Sequence, residues 1–314
     1  MDAVLGQEET IEFLRARIKD PPHFILCGPS GVGKTMLANA WITEHLQSQG
    51  VTNPAHQATM TLRLSSADDR GIAAIRQRLT EFVRRVRPVP DTIAWVLLDD
   101  ADNLPAVTQQ ALRRILELHA HQTRFCFVAL TCEHFIEPIQ SRCVMLRCGP
   151  VDLADPKHGA AILKKEAPSI SLTEEASGLI AGLCQGNARQ FTLICRALRI
   201  TGRSTTAEIQ MLVNAPPVTQ LLRLQTAIIH RDISTITESV LALWSKGYSF
   251  EDCIAMLEMV VRVYNEELNS DLQYVLQCCA EGHIFQILNR MTTLDLVAVL
   301  SGKASSETLA EPLG

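Results

Sequence analysis

The rhythm of apolar and polar positions changes once along this chain, near residue 150. Before that point short apolar runs alternate with longer stretches of helical period. The runs are His23-Phe24-Ile25-Leu26-Cys27, Met60-Thr61-Leu62-Arg63-Leu64, Ala94-Trp95-Val96-Leu97-Leu98, Phe125-Cys126-Phe127-Val128-Ala129-Leu130-Thr131 and Val144-Met145-Leu146, each long enough for one strand. Ahead of the first run, residues 7–19 place Ile11, Leu14 and Ile18 on one helical face, and Asp20-Pro21-Pro22 ends that helix. Residues 72–85 align Ile72, Ile75, Leu79, Phe82 and Val83 in a stripe, residues 109–118 continue as a helix, and residues 50–56 read as loop. Strands alternating with helices predict an α/β fold with a parallel sheet covered on both faces. Ligands bind such sheets at the carboxyl ends of the strands. After Gly149-Pro150 the pattern is helical throughout: 157–166, 173–184 and 188–199, a capping box at Thr205-Thr206-Ala207-Glu208, a linker at Ala215-Pro216-Pro217, and about five amphipathic helices beyond it, including 233–246 and 250–268.

Composition narrows the class. The 314 residues suffice for two or three domains, and 47% hydrophobic with 20% charged residues describes a globular chain. A net charge of −5 gives no global basic field, so contact with nucleic acid requires a local patch. Apolar runs fall well short of the roughly 18 residues of a spanning helix, and the first residues lack signal-peptide character. The ten cysteines form no C-x-x-C pair, and most lie inside apolar runs; this is the usage of reduced, buried thiols in an intracellular protein rather than of a zinc site.

Chemistry concentrates in two stretches. Gly28-Pro29-Ser30-Gly31-Val32-Gly33-Lys34-Thr35 reads G-x-x-x-x-G-K-T between a strand and a helix, the phosphate-binding loop of nucleoside triphosphatases. Its glycines let backbone N–H groups close around phosphate oxygens, and the helix start adds partial positive charge. Lys34 is expected at the β- and γ-phosphates and Thr35 on Mg²⁺. The second stretch, Ala94 to Asp102, is an apolar strand ending in acids: Asp99 is placed to hold Mg²⁺, and Asp100 to polarise the attacking water. Arg76, Arg78, Arg84 and Arg85 crowd one helix of an otherwise acidic protein, a candidate site for a phosphate backbone.

Three further segments carry a family resemblance. Residues 62–75 (L-R-L-S-S-A-D-D-R-G-I-A-A-I), Gln109-Gln110-Ala111-Leu112-Arg113-Arg114 and Ile136-Glu137-Pro138-Ile139-Gln140-Ser141-Arg142-Cys143 resemble the motifs of the small subunits of replication factor C, the AAA+ sliding-clamp loader. The resemblance implies three domains: a RecA-like ATPase at 1–149, a helical lid at 150–213 and an all-α oligomerisation collar at 214–314. It implies a clamp-loading function that uses ATP and Mg²⁺. The implied partners are other loader subunits in a heteropentamer, a PCNA-type clamp and primer–template DNA, with no membrane; a eukaryotic source would make the location nuclear. Arg142 takes the place of an arginine finger acting at a neighbour's site, Arg189 that of the lid's sensor arginine, and Val4 lies in a nucleotide-proximal V-L-G-Q segment. Arg70, Arg76 and Arg78 correspond to positions that track DNA, and Leu79, Phe82 and Val83 to the turn that meets the clamp. The chain departs from the family where Asp100 replaces a catalytic Glu, where Leu130-Thr131-Cys132-Glu133 lacks the sensor Asn, and where Asn187 replaces an Asp. These departures predict ATP binding with slowed hydrolysis and leave two alternatives, a non-hydrolysing scaffold subunit or another AAA+ DNA-processing ATPase.

Overall fold

The computed structural model describes residues 1, 4–65, 72–85, 87–202, 208–209, 212, 216–264, 270–287, 297 and 300–301. Arg70 and the capping box at Thr205 fall outside them. Two compact units emerge: Met1–His158 with Gln185–Gln190, and Gly159–Cys184 with Phe191–Gly314.

In the first unit, five strands form one sheet: β1 (His23–Cys27), β2 (Thr61–Ser65), β3 (Ala94–Asp99), β4 (Thr123–Ala129) and β5 (Cys143–Arg147). Their order is β2-β3-β4-β1-β5, and every pairing is parallel. The central strands are buried along nearly their whole length, as their unbroken apolar runs require. Helices α1 (Glu8–Ala16), α2 (Lys34–Ser48), α3 (Pro54–Thr59), α4 (Ile72–Arg84), α5 (Ala106–His119) and the single turn α6 (Glu137–Gln140) complete the unit. Leu14 of α1 is fully buried, with Ile11 and Ile18 packed on the same core. The short helix α3 stands where loop was expected. Asn53 caps it by accepting from the Ala55 N–H at 2.9 Å, and Pro54 takes the first turn, where a missing N–H costs nothing.

The second unit is helical. Helix α7 (Pro156–Glu166) crosses its boundary, followed by α8 (Glu174–Cys184) and α9 (Ala188–Thr201), then α10 (Val218–Ile229), α11 (Ile233–Ser245), α12 (Phe250–Tyr264) and α13 (Ser270–Ile287). Helix α10 packs against α11, α12 and α13, and α8 against α12. The start of α11 is fixed by Asp232, whose carboxylate accepts from the Ser234 and Thr235 N–H groups. No helix among the described residues is long and apolar enough to cross a membrane.

The core corrects one expectation. Leu79, Phe82 and Val83 retain 0%, 8% and 7% exposure and belong to the first unit's hydrophobic core. The turn expected to offer an aromatic to the clamp instead holds α4 to its own domain. A stripe at helical spacing serves either purpose, and here the sheet beneath α4 takes it. Phe82→Ala is therefore expected to destabilise the first unit by about 3–5 kcal/mol, read as a lower urea midpoint. A variant that unfolds like wild type yet loses clamp binding would restore the docking role.

Candidate functional site

The phosphate loop follows β1 directly, and two of its glycines are obligatory. A Cβ on Gly28 would stand 2.0 Å from the Cys148 carbonyl oxygen, beyond the end of the adjacent strand β5. A Cβ on Gly31, whose φ is +78°, would stand 1.8 Å from Asn187 Oδ1. Helix α2 begins at Lys34 with Gly33 in the left-handed region as its N-cap. Val4 is buried, with a methyl 3.9 Å from the position of a Cβ on Gly33, so the V-L-G-Q segment does approach the loop. Asn187 accepts from the Gln190 N–H at 3.1 Å and opens α9, and the Arg189 N–H donates to the Gly31 carbonyl at 3.3 Å. The Arg189 side chain is exposed.

Lys34 is 8% exposed and donates to the Gly28 and Pro29 carbonyls, both at 2.7 Å. Burial pushes its ammonium below the ordinary lysine value and Arg189 adds to that, while the Asp102 and Asp99 carboxylates oppose it. The Cys148 thiol beside it is itself pushed up to about 11 by burial, so it carries no charge at neutral pH. The Thr35 hydroxyl donates to Asp99 Oδ1 at 3.2 Å, which brings together one hydroxyl and one carboxylate from elements 64 residues apart. These are hard oxygen donors of the kind Mg²⁺ takes, so the residues fit the ion. Asp100 follows at φ +51°, exposed, its N–H donating to Asp99 Oδ1 at 3.1 Å.

Arg142 sits at the opposite end of the sheet. It precedes Cys143, which is in register with His23 at the start of β1, whereas the phosphate loop follows Cys27 at the other end. About 13 Å of strand separates the two levels. The Arg142 guanidinium bonds Glu117 of α5 at 2.7 Å, the Pro138 carbonyl at 2.7 Å and the Ser141 hydroxyl at 3.2 Å. Glu117 also accepts from Arg113, and that bond, with Arg142 adding to it, holds its carboxyl below the usual range. Arg76 and Arg78 are exposed on α4.

Two residues of the site lie in motifs that assign them no task. Gln109 is buried and bonds the Leu104 and His134 carbonyls and the Ile136 N–H, so α5 is tied to the loop that leads to Arg142. Asp102 accepts from the Leu130 and Thr131 N–H groups. Gln109 belongs to the Q-Q-A-L-R-R segment and Asp102 is the third acid of D-D-A-D, and apart from Leu104 their partners His134, Ile136, Leu130 and Thr131 lie 25 to 29 positions away.

The model of the ATPase family associated with various cellular activities (AAA) matches residues 24–148. The replication factor C small subunit of Staphylothermus marinus is 33% identical over 215 residues, covering 68% of this chain and 63% of that protein. Replication factor C small subunit 2 of Pyrobaculum aerophilum is 30% identical over 283 residues, covering 87% of this chain and 82% of that protein. Among solved structures, the RuvB Holliday junction branch migration motor of Thermotoga maritima superposes with a TM-score of 0.51 at 18% identity, over 73% of this chain and 78% of that one, a likeness of fold. With an AAA ATPase domain around its phosphate loop and relatives matched over most of their length, this chain belongs to the replication factor C small-subunit family.

Proposed function

We propose that this chain is an ATP-binding and hydrolysing subunit of a sliding-clamp loader, working in a hetero-oligomer, on the family's pattern a pentamer, to place a PCNA-type clamp on primer–template DNA. The observation that carries the reading is the polarity of the first unit. Lys34, Thr35, Asp99 and Asp100 gather at the carboxyl ends of the strands, while Arg142 stands at the amino ends. A cation so placed cannot serve its own phosphate loop, and it suits a neighbour's. Gly28, Pro29, Ser30, Gly31, Val32 and Gly33 would wrap the phosphates, with Val4 and Arg189 completing the nucleotide site. Thr35 and Asp99 would hold Mg²⁺, which when bound neutralises charge on the phosphate oxygens. Asp100 would orient the attacking water. Arg76 and Arg78 would bind DNA phosphates without sequence preference; Arg70 is proposed with them on the resemblance alone. The lid and collar boundaries, 150–213 and 214–314, are proposed on the same ground. The clamp contact is assigned to a surface other than Leu79, Phe82 and Val83. The named relatives are archaeal, so they lend no support to a nuclear location.

A second reading, a subunit that binds ATP and turns it over slowly, draws on Asp100. Its carboxylate is one methylene shorter than a glutamate, and its backbone is held left-handed.

Lys34→Ala is expected to weaken ATP binding about 100-fold, the loss of roughly 3 kcal/mol of charge-assisted bonding. Calorimetric titration reads it, and unchanged affinity would remove the phosphate-loop assignment. Arg142→Ala is expected to leave this subunit's ATP affinity intact and slow hydrolysis at the adjacent site by about 10³-fold. Assemblies in which only this subunit carries the substitution decide the matter. A loss confined to this subunit's own site would exclude action in trans.

A further inference from the structure

Asp102 belongs to neither the phosphate loop nor the metal pair, yet its carboxylate accepts from two backbone N–H groups beside them. It lies in the single 3-10 turn Ala101–Asn103 that follows β3, a turn anchored by the fully buried Ala101. Both of its carboxylate oxygens accept from the Leu130 N–H, at 2.9 and 2.8 Å, and Oδ1 also accepts from the Thr131 N–H at 3.1 Å. The Leu130 peptide is held from its other side as well, because its carbonyl accepts from the Gly28 N–H at 3.0 Å. A single hydrogen-bonded chain therefore runs across three strand ends: Asp102 after β3, Leu130 after β4, and Gly28 at the mouth of the phosphate loop after β1. Those strands are neighbours in the sheet, in the order β3-β4-β1. Backbone N–H groups donating to a carboxylate are among the stronger bonds a loop can form. An ionised acid accepts at both oxygens, whereas an amide in its place would turn one donor toward another.

We propose that Asp102 is a positioning residue: it sets the distance between Thr131 and the terminal phosphate of the bound nucleotide by clamping the loop after β4 to the phosphate loop. The proposal rests on the nucleotide-site reading above. Thr131 is exposed at the strand end, where its hydroxyl can donate to a γ-phosphate oxygen that a diphosphate lacks. Asp102 itself does not touch the nucleotide.

The test needs only nucleotide binding by the full chain. Dissociation constants for ATP and ADP, each with Mg²⁺, are measured for wild type, Asp102→Asn, Asp102→Ala, Thr131→Ala, the Asp102→Ala/Thr131→Ala pair and Lys34→Ala. Asp102→Ala is expected to lower the preference for ATP over ADP by about tenfold while ADP affinity stays within about twofold. Asp102→Asn, which keeps one acceptor, is expected to fall between. Because Asp102 acts through Thr131, the double variant should lose no more than the worse single variant. A preference that stays at the wild-type value in both Asp102 variants, affinities for ATP and ADP that fall together, or losses that multiply in the double variant would each overturn the proposal. If Asp102→Ala fails to fold, the asparagine variant and its pairing with Thr131→Ala separate the same outcomes. Failure of the nucleotide-site reading looks different: wild type would bind neither nucleotide, or Lys34→Ala would bind both as wild type does.

Discussion

Helix α2 can hold its amino end at the phosphate loop because its other end is locked to the sheet. Trp41 of α2 and Trp95 of β3 are both fully buried, their rings 5.7 Å apart, with Phe24 of β1 against each. His45, one turn beyond Trp41, accepts the Trp95 indole N–H on Nδ1 at 3.0 Å. That bond requires a neutral ring, and burial supplies one by pushing the His45 imidazole down to about 4. The indole N–H of Trp95 thus finds its partner inside the core, as that of a buried tryptophan usually does. With α2 fixed in rotation and height, Lys34 and Thr35 arrive at the carboxyl edge already facing Asp99.

The parallel sheet converts that local lock into a site. Each strand runs the same way, so every strand-to-helix turn opens on one edge, and residues far apart in sequence meet there. Thr35 and Asp99 touch across two strand spacings, and the Asp102 carboxylate, Leu130 and Gly28 form a hydrogen-bonded chain beside them. The same polarity puts Arg142 at the opposite edge, held by Glu117 and the Pro138 carbonyl. The exposed Glu117 pair forms only a weak tether, so the guanidinium can exchange a carboxylate for a phosphate at little cost. A subunit built this way carries a phosphate loop on one side and an exposed cation on the other, which suits head-to-tail association.

The fold and half of the site are legible in the sequence because their signals are local. A strand buried on both faces shows as an unbroken apolar run, which locates β1, β3 and β4, while the edge strands β2 and β5 are only partly buried and show as short or alternating runs; the phosphate loop announces itself by its glycine spacing. What stays hidden depends on contacts the linear pattern does not contain. Helix α3 is too short for periodicity to register, and only Asn53-Pro54 marks its start. Asp102 matters through the N–H groups of residues 28 and 29 positions later, a pairing that exists only once β3 and β4 lie side by side. Phe82 and Val83 invite an outward reading because an apolar stripe records that a face is covered without recording what covers it.

The burial of that stripe changes the physical character of α4. Once Leu79, Phe82 and Val83 face the core, the exposed surface of the helix among the described side chains is Arg76, Gln77, Arg78, Glu81 and Arg84, with Arg85 just beyond its end. Such a face is cationic on a chain whose net charge is −5. It offers point charges and planar forks rather than a hydrophobic ridge, which is the kind of surface the proposed contact with DNA phosphates would use, through counterion release and with weakening by salt. The apolar half of the helix would support that role from within: by fixing α4 along the sheet, it sets the spacing of Arg76 and Arg78 on the outer face.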